Sequence, residues 1–204
     1  MEVDSIYTPE YKSNTYIVTD VDSNRAIIID PTLFSITEIN NYIFRNELTI
    51  DYVIPTHGHF DHIEGIDRLK DSHQFDVIAN SECSIAFQNP KKNYSFFLKS
   101  KNISLNPPNI IIDEVVHQFL WNNTKIQIIK TPGHSPCSAC IAINNEMLFT
   151  GDSLLKDFKP VTKLPDSDKS QYINSICQIF NGFPSDIIIY PGHGESFLLS
   201  SYKC

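Results

Sequence analysis

Two spacings of apolar residues alternate along the first third of the chain. The β-branched runs "TYIVTD" (15–20) and "RAIIID" (25–30) flank "VDSN", a pattern that predicts two strands joined by an Asp/Ser/Asn turn. In "SITEINNYIFRN" (35–46) Ile36, Ile39, Ile43 and Phe44 recur at helical intervals behind Ser35, a residue suited to an N-cap. "DYVIPT" (51–56) predicts the next strand. Beyond it come a short helix at "IEGIDRLKDS" (63–72), a strand at "FDVIAN" (75–80) and a helix at "SECSIAFQ" (81–88).

Asn89 to Asn109, rich in Lys, Asn, Ser and Pro, breaks the pattern and reads as a mobile flap or an insertion. Strand signals resume at "KIQIIKTPGH" (125–134). "CSACIAI" (137–143) and "EMLFTGD" (146–152) follow, joined at Asn144 and Asn145, a pair suited to a tight turn. A helix at 168–180 leads into a last strand in "DIIIYPGHGE" (186–195). Strands alternating with helices predict an α/β fold, and 204 residues predict a single domain spanning 1–204.

Composition narrows the function. Hydrophobic residues at 41% and charged residues at 20% suit a folded globular chain. A net charge of -8, from 16 basic against 24 acidic residues, offers no basic footprint for a nucleic acid, and none is expected as a partner. No run approaches the roughly 18 apolar residues of a membrane span. "MEVDSIYTPE" has no signal-peptide character, so the expected location is the cytoplasm. Five scattered cysteines (Cys83, Cys137, Cys140, Cys177, Cys204) then read as reduced thiols, and the sequons at Asn93, Asn102 and Asn122 carry little weight.

The chemistry is concentrated in polar loops that follow strands. "PTHGHFDHIEG" (55–65) places three histidines and an aspartate within six positions, and "TPGHSP", "TGDSL" and "YPGHGE" add His134, Asp152 and His193, each beside a glycine. Imidazole and carboxylate are the donors that zinc takes, usually four to an ion, so seven ligands exceed one tetrahedral site. His57 and His59 leave one strand end, whereas Asp61 and His62 fall at the start of the next helix. The expectation is two divalent ions: His57, His59 and His134 on one, Asp61, His62 and His193 on the other, with Asp152 bridging. Zinc is the first expectation, and the same ligands accept iron or manganese.

These motifs resemble the metallo-β-lactamase superfamily, whose H-x-H-x-D-H signature is matched by His57, His59, Asp61 and His62, with His134, Asp152 and His193 following in order. The resemblance covers nearly the whole chain. It implies a four-layered αββα sandwich with the metals at one edge of the two sheets, and the same ligand set. "TPGHSP", "LFTGDSL" and "YPGHGE" look most like the glyoxalase II group of thioester hydrolases, while many β-lactamases proper carry arginine where this chain has His62. Two departures separate it from glyoxalase II. That family continues into a helical domain that helps bind the glutathione thioester, whereas 11 residues follow His193 here. It also tends to show Gly-Arg-Ser/Thr-Asp where this chain has "KPVTKLPDSD" (159–168).

The implied activity is hydrolysis of an ester, thioester or lactone carbonyl in a small, anionic acyl compound, by a hydroxide bridging the two ions, with Asp61 orienting it. Two other readings stay open. One is an oxidoreductase resembling persulfide dioxygenases, with one iron on His57, His134 and Asp152. The other is a metal-binding accessory protein without catalysis. Lys159 and Lys163 either bind the anionic part of the substrate or are solvated surface residues. Asp30 either holds a ligand histidine by its second ring nitrogen or is a turn residue before Pro31. Cys137 and Cys140, expected in a strand, read as structural, and His73 and His117 have no assigned role. Tyr94, Phe96 and Phe97 either line the pocket mouth or pack their loop.

Overall fold

The computed structural model describes residues 1–97, 102–156 and 159–202. Part of the irregular stretch expected at Asn89–Asn109 (residues 98–101) and Cys204 lie outside them. The chain falls into two compact units, Met1–Ile112 and Asp113–Cys204.

The first unit is a mixed six-stranded sheet in the order β1 (Glu2–Thr8), β2 (Ser13–Asp20), β3 (Arg25–Ile29), β4 (Thr49–Ile54), β5 (Asp76–Ala79), β6 (Ile110–Ile111). β1, β2 and β3 pair antiparallel, and β3 through β6 pair parallel. β3 is central, and its Ala26, Ile27, Ile28 and Ile29 are all buried, which is why this segment reads as an unbroken apolar run. The parallel step from β3 to β4 needs a crossover, supplied by α1 (Ile36–Arg45).

α1 turns Ile39 and Ile43 inward, but Phe44 is 85% exposed, against the expectation that it shares their face. At about 100° per residue Phe44 lies roughly 100° around the helix from Ile43, off the buried stripe. Ser35 is not the expected side-chain cap either: its hydroxyl is turned back to Thr32, and Thr32 Oγ1 accepts from the Ser35 N–H at 3.0 Å. The single helix expected at 63–72 is two turns, α2 (Phe60–Ile63) and α3 (Ile66–Leu69), broken at Gly65. A Cβ there would stand 2.4 Å from the Thr32 carbonyl oxygen, so backbone passes against backbone. α4 (Ser81–Gln88) follows β5, capped by the Asn80 side chain, which accepts from the Cys83 N–H.

The second unit is another mixed six-stranded sheet: β7 (Val116–Trp121), β8 (Thr124–Lys130), β9 (Ala139–Ile143), β10 (Met147–Gly151), β11 (Ile188–Pro191) and β12 (Phe197–Leu198), in the order β12-β11-β10-β9-β8-β7. Asn144 and Asn145 adopt φ of 51° and 55° in the tight turn expected between β9 and β10, a three-residue connection in which the Glu146 N–H donates to the Ile143 carbonyl at 3.0 Å. Asn122 and Asn123, noted in the sequence only as part of a sequon, make a two-residue turn between β7 and β8, with φ of 47° and 68°. α5 (Lys169–Gly182) is capped by Asp168, whose carboxylate accepts from the N–H groups of Ser170 and Gln171. Its Ile179 packs with Ile129, Leu148, Leu154 and Ile189. Cys137 lies in the turn before β9, not in a strand as expected, because the hydrogen-bonded loop from Thr131 continues to Ser138 before extended pairing starts at Ala139. Cys137 and Cys140 are both buried. Among the described residues no helix is long and apolar enough to cross a membrane.

Candidate metal centre

In the first unit the site begins where β4 ends. Pro55 to Gly58 is a buried loop, and His57, His59 and His62 are 1%, 8% and 0% exposed. The loop is held by Asp30, itself 1% exposed at the end of β3. Its Oδ1 accepts from the Thr56 N–H (2.6 Å), and its Oδ2 accepts from the Thr56 hydroxyl (2.7 Å) and faces His62 Nδ1 at 2.9 Å. Of the two roles the sequence left open for Asp30, the structure assigns the holding of a histidine.

These bonds decide which ring nitrogens point where. A carboxylate only accepts, so Nδ1 of His62 donates to Asp30 and Nε2 carries the lone pair. The Thr56 hydroxyl proton goes to Asp30, so Oγ1 accepts from Nδ1 of His57 at 3.1 Å, and Nε2 again carries the lone pair. His57 lies ring to ring against His59 (centroids 4.4 Å apart) and His62 (4.2 Å). Ligand atoms of the pairs His57/His59, His57/His62 and Asp61/His62 lie within 4.8 Å of each other. Asp61 sits in the first turn of α2 with Oδ2 3.7 Å from His62 Nε2.

In the second unit three loops converge on Asp152. His134 Nε2 lies 3.5 Å from Asp152 Oδ2, and His193 Nε2 lies 3.4 Å from Oδ1. The carboxylate thus stands between two imidazoles. His134 Nδ1 donates to the carbonyl of Val161 at 2.9 Å, so it too presents Nε2. The loop carrying His134 is strapped to the segment entering α5. Ser175 Oγ donates to the Pro132 carbonyl (2.7 Å), the Asp168 N–H to Gly133 (2.9 Å) and Ser167 Oγ to His134 (2.7 Å). Gly133 has φ of 136°, and a Cβ there would lie 2.3 Å from Tyr172 Cα, so glycine is required. The donors His57, His62 and His134 thus have the tautomer that ion binding through Nε2 needs, each set by a second-nitrogen partner, the usual arrangement of metal-binding histidines.

The structure therefore brings together His57, His59, Asp61 and His62 in one unit, and His134, Asp152 and His193 in the other. Lys159 and Lys163 are exposed, on either side of the Val161 held by His134. Sequence reasoning missed Thr56 and Val161. Thr56 could have been suspected as the polar residue between strand and motif, but Val161 acts through a backbone carbonyl, which no side-chain pattern reveals.

Residues 8–193 match the family described as the metallo-beta-lactamase superfamily. The chain is 26% identical over 180 residues to a probable polyketide biosynthesis zinc-dependent hydrolase of Bacillus subtilis, covering 87% of this chain and 71% of the relative. It is also 26% identical over 182 residues to a hydroxyacylglutathione hydrolase of Pelagibacter ubique, covering 88% of this chain and 65% of that one. The crystal structure of the B3 metallo-beta-lactamase BLEG-1 superposes with a TM-score of 0.89 at 25% identity, covering 98% of this chain and 95% of that one. The fold is the α/β metallo-β-lactamase fold expected from the sequence. A match that takes in every one of the loops described above makes this chain a member of the metallo-beta-lactamase superfamily.

Proposed function

We propose that the chain is a dinuclear hydrolase of ester, thioester or lactone carbonyls, with zinc as its working metal. The observation that carries this reading is the set of histidines whose Nδ1 atoms are tied to Thr56, Asp30 and Val161, leaving Nε2 as the donor on His57, His62 and His134. His57, His59 and His134 would hold one ion and Asp61, His62 and His193 the other, with Asp152 available to both. Bound divalent ions acidify water to near neutrality and polarise a carbonyl. Asp61, 16% exposed at its side chain, would orient the attacking water. Asp30 and Thr56 hold the donor rings still, so that little reorganisation accompanies the reaction. Lys159 and Lys163 receive the anionic part of the substrate. Relatives named as a zinc-dependent hydrolase and a hydroxyacylglutathione hydrolase support zinc and an acyl thioester.

The test is metal analysis of protein purified without chelator, followed by a thioester and lactone panel. Close to two divalent ions per chain with hydrolysis of a panel member is the expected result. A single iron with oxygen uptake on a persulfide overturns it in favour of the oxidoreductase, and stoichiometric metal with no turnover of any substrate leaves an accessory protein.

A further inference from the structure

The start of the irregular stretch folds onto the histidine motif. Asn93 is 0% exposed, and its backbone carbonyl accepts from the N–H of Phe60 at 3.0 Å, the residue between His59 and Asp61. Its side chain donates to the carbonyls of Ala86 (3.0 Å) and Ile103 (2.9 Å) and accepts from the N–H of Ser95 (3.0 Å). So anchored, the loop holds Tyr94 at a φ of 63°, a left-handed conformation that is costly for a bulky residue. The Tyr94 ring stands edge-on to His59, centroids 4.8 Å apart and planes at 82°. Phe97 lies 5.9 Å from Tyr94, and Phe96 packs at 88° to Phe97. Phe96 and Phe97 are 52% and 66% exposed.

A loop serving only to pack itself would turn these rings inward, and Tyr94 would relax to negative φ. Instead strain is maintained by a fully bonded asparagine, and an aromatic surface is kept open beside a metal-donor histidine, the kind of place where strain marks ligand contact. The Lys91 ammonium sits over Phe96, 5.5 Å from its centroid, at the end of the cluster away from His59. Tyr94 and Phe97 are thus the rings of the cluster on the side of His59.

We infer that Tyr94 and Phe97 form the wall that receives an apolar acyl group and so set the acyl specificity of the site. This rests on the hydrolase reading above. The anionic part of the substrate belongs elsewhere, and the acyl chain lies along the rings with its carbonyl towards the histidines.

The test is calorimetric binding of two product-like carboxylates, butyrate and octanoate, to the zinc-loaded chain. Each methylene moved from water to an apolar wall is worth up to about fourfold in affinity. With four additional methylenes partly covered, octanoate is expected to bind at least about tenfold more tightly than butyrate. Phe97→Ala, at an exposed position, should cut this ratio to about twofold by weakening octanoate more than butyrate, and Tyr94→Phe should preserve it. Equal binding of the two carboxylates by the unmodified chain, binding of neither, or an unchanged ratio in Phe97→Ala each overturn the inference. A chain that shows the ratio but hydrolyses no thioester keeps the wall and loses the hydrolase. One that hydrolyses acetyl and octanoyl thioesters with equal kcat/KM and binds both carboxylates equally keeps the hydrolase and loses the wall.

Discussion

Asp30→Asn tests how the first set of donors is held. The residue has φ of 52°, a conformation that asparagine tolerates, so the backbone should survive the exchange. What changes is the pattern of donors and acceptors. Asp30 receives three hydrogens: the Thr56 N–H on Oδ1, and the Thr56 hydroxyl and His62 Nδ1–H on Oδ2. An amide has one oxygen. If it faces the Thr56 N–H, the NH₂ group confronts His62, which must then accept through Nδ1 and carry its proton on Nε2, the atom needed for the ion. If it faces His62, two N–H donors oppose each other at Thr56. Leaving one buried donor unmet costs about 1–3 kcal/mol of folding stability. Loss of the second partner of a ligand histidine typically costs 10–100-fold in metal affinity. Zinc competition against a chelator, alongside thermal unfolding of the metal-free chain, measures both. Zinc affinity within about twofold of the unmodified chain, in a protein that unfolds cooperatively, would refute the reasoning.

Three further outcomes are expected. Gly65→Ala places a methyl 2.4 Å from the Thr32 carbonyl oxygen, a backbone atom that cannot swing aside, and should cost about 1–3 kcal/mol in urea unfolding; an unchanged midpoint would contradict it. Iodoacetamide on the native chain should label exposed Cys177 and spare Cys83, Cys137 and Cys140, the last with its thiol pushed up to about 12 by burial; peptide mapping reads this, and labelled Cys140 in native protein would count against the buried environment. Burial lowers the pKa of His73, so around and just below the ordinary histidine range the unfolded chain binds the proton more readily. Its contribution to stability is present above the ordinary histidine range and falls away as pH drops through it; His73→Gln should flatten that part of a stability-against-pH curve, and an unchanged slope would remove the residue from the account.

Much of this protein is legible before folding. The candidate donors His57, His59, Asp61, His62, His134, Asp152 and His193 stand out because each follows an apolar run and sits by a turn or a helix start. Buried central strands such as β3 announce themselves through continuous burial on both faces. The turn at Asn144 and Asn145 was readable from residue type alone, because few side chains tolerate positive φ.

Other features depend on partners distant in sequence. β1 and β7 are edge strands with only part of each segment buried, and β6 and β12 are two residues each, so their pairing comes from neighbours rather than from local pattern. The helix breaks at Gly65 because its N–H donates to the Pro31 carbonyl, far back in the chain, at 3.0 Å, and the Thr32 carbonyl occupies the space a Cβ would need. The tautomers of His57, His62 and His134 are likewise set from outside the motifs, by Thr56, Asp30 and the Val161 carbonyl. Residue types and their spacing determined which atoms are able to bind an ion. Tertiary structure alone decided which nitrogen of each ring is presented, since a hydrogen-bond partner is a fact of position in space.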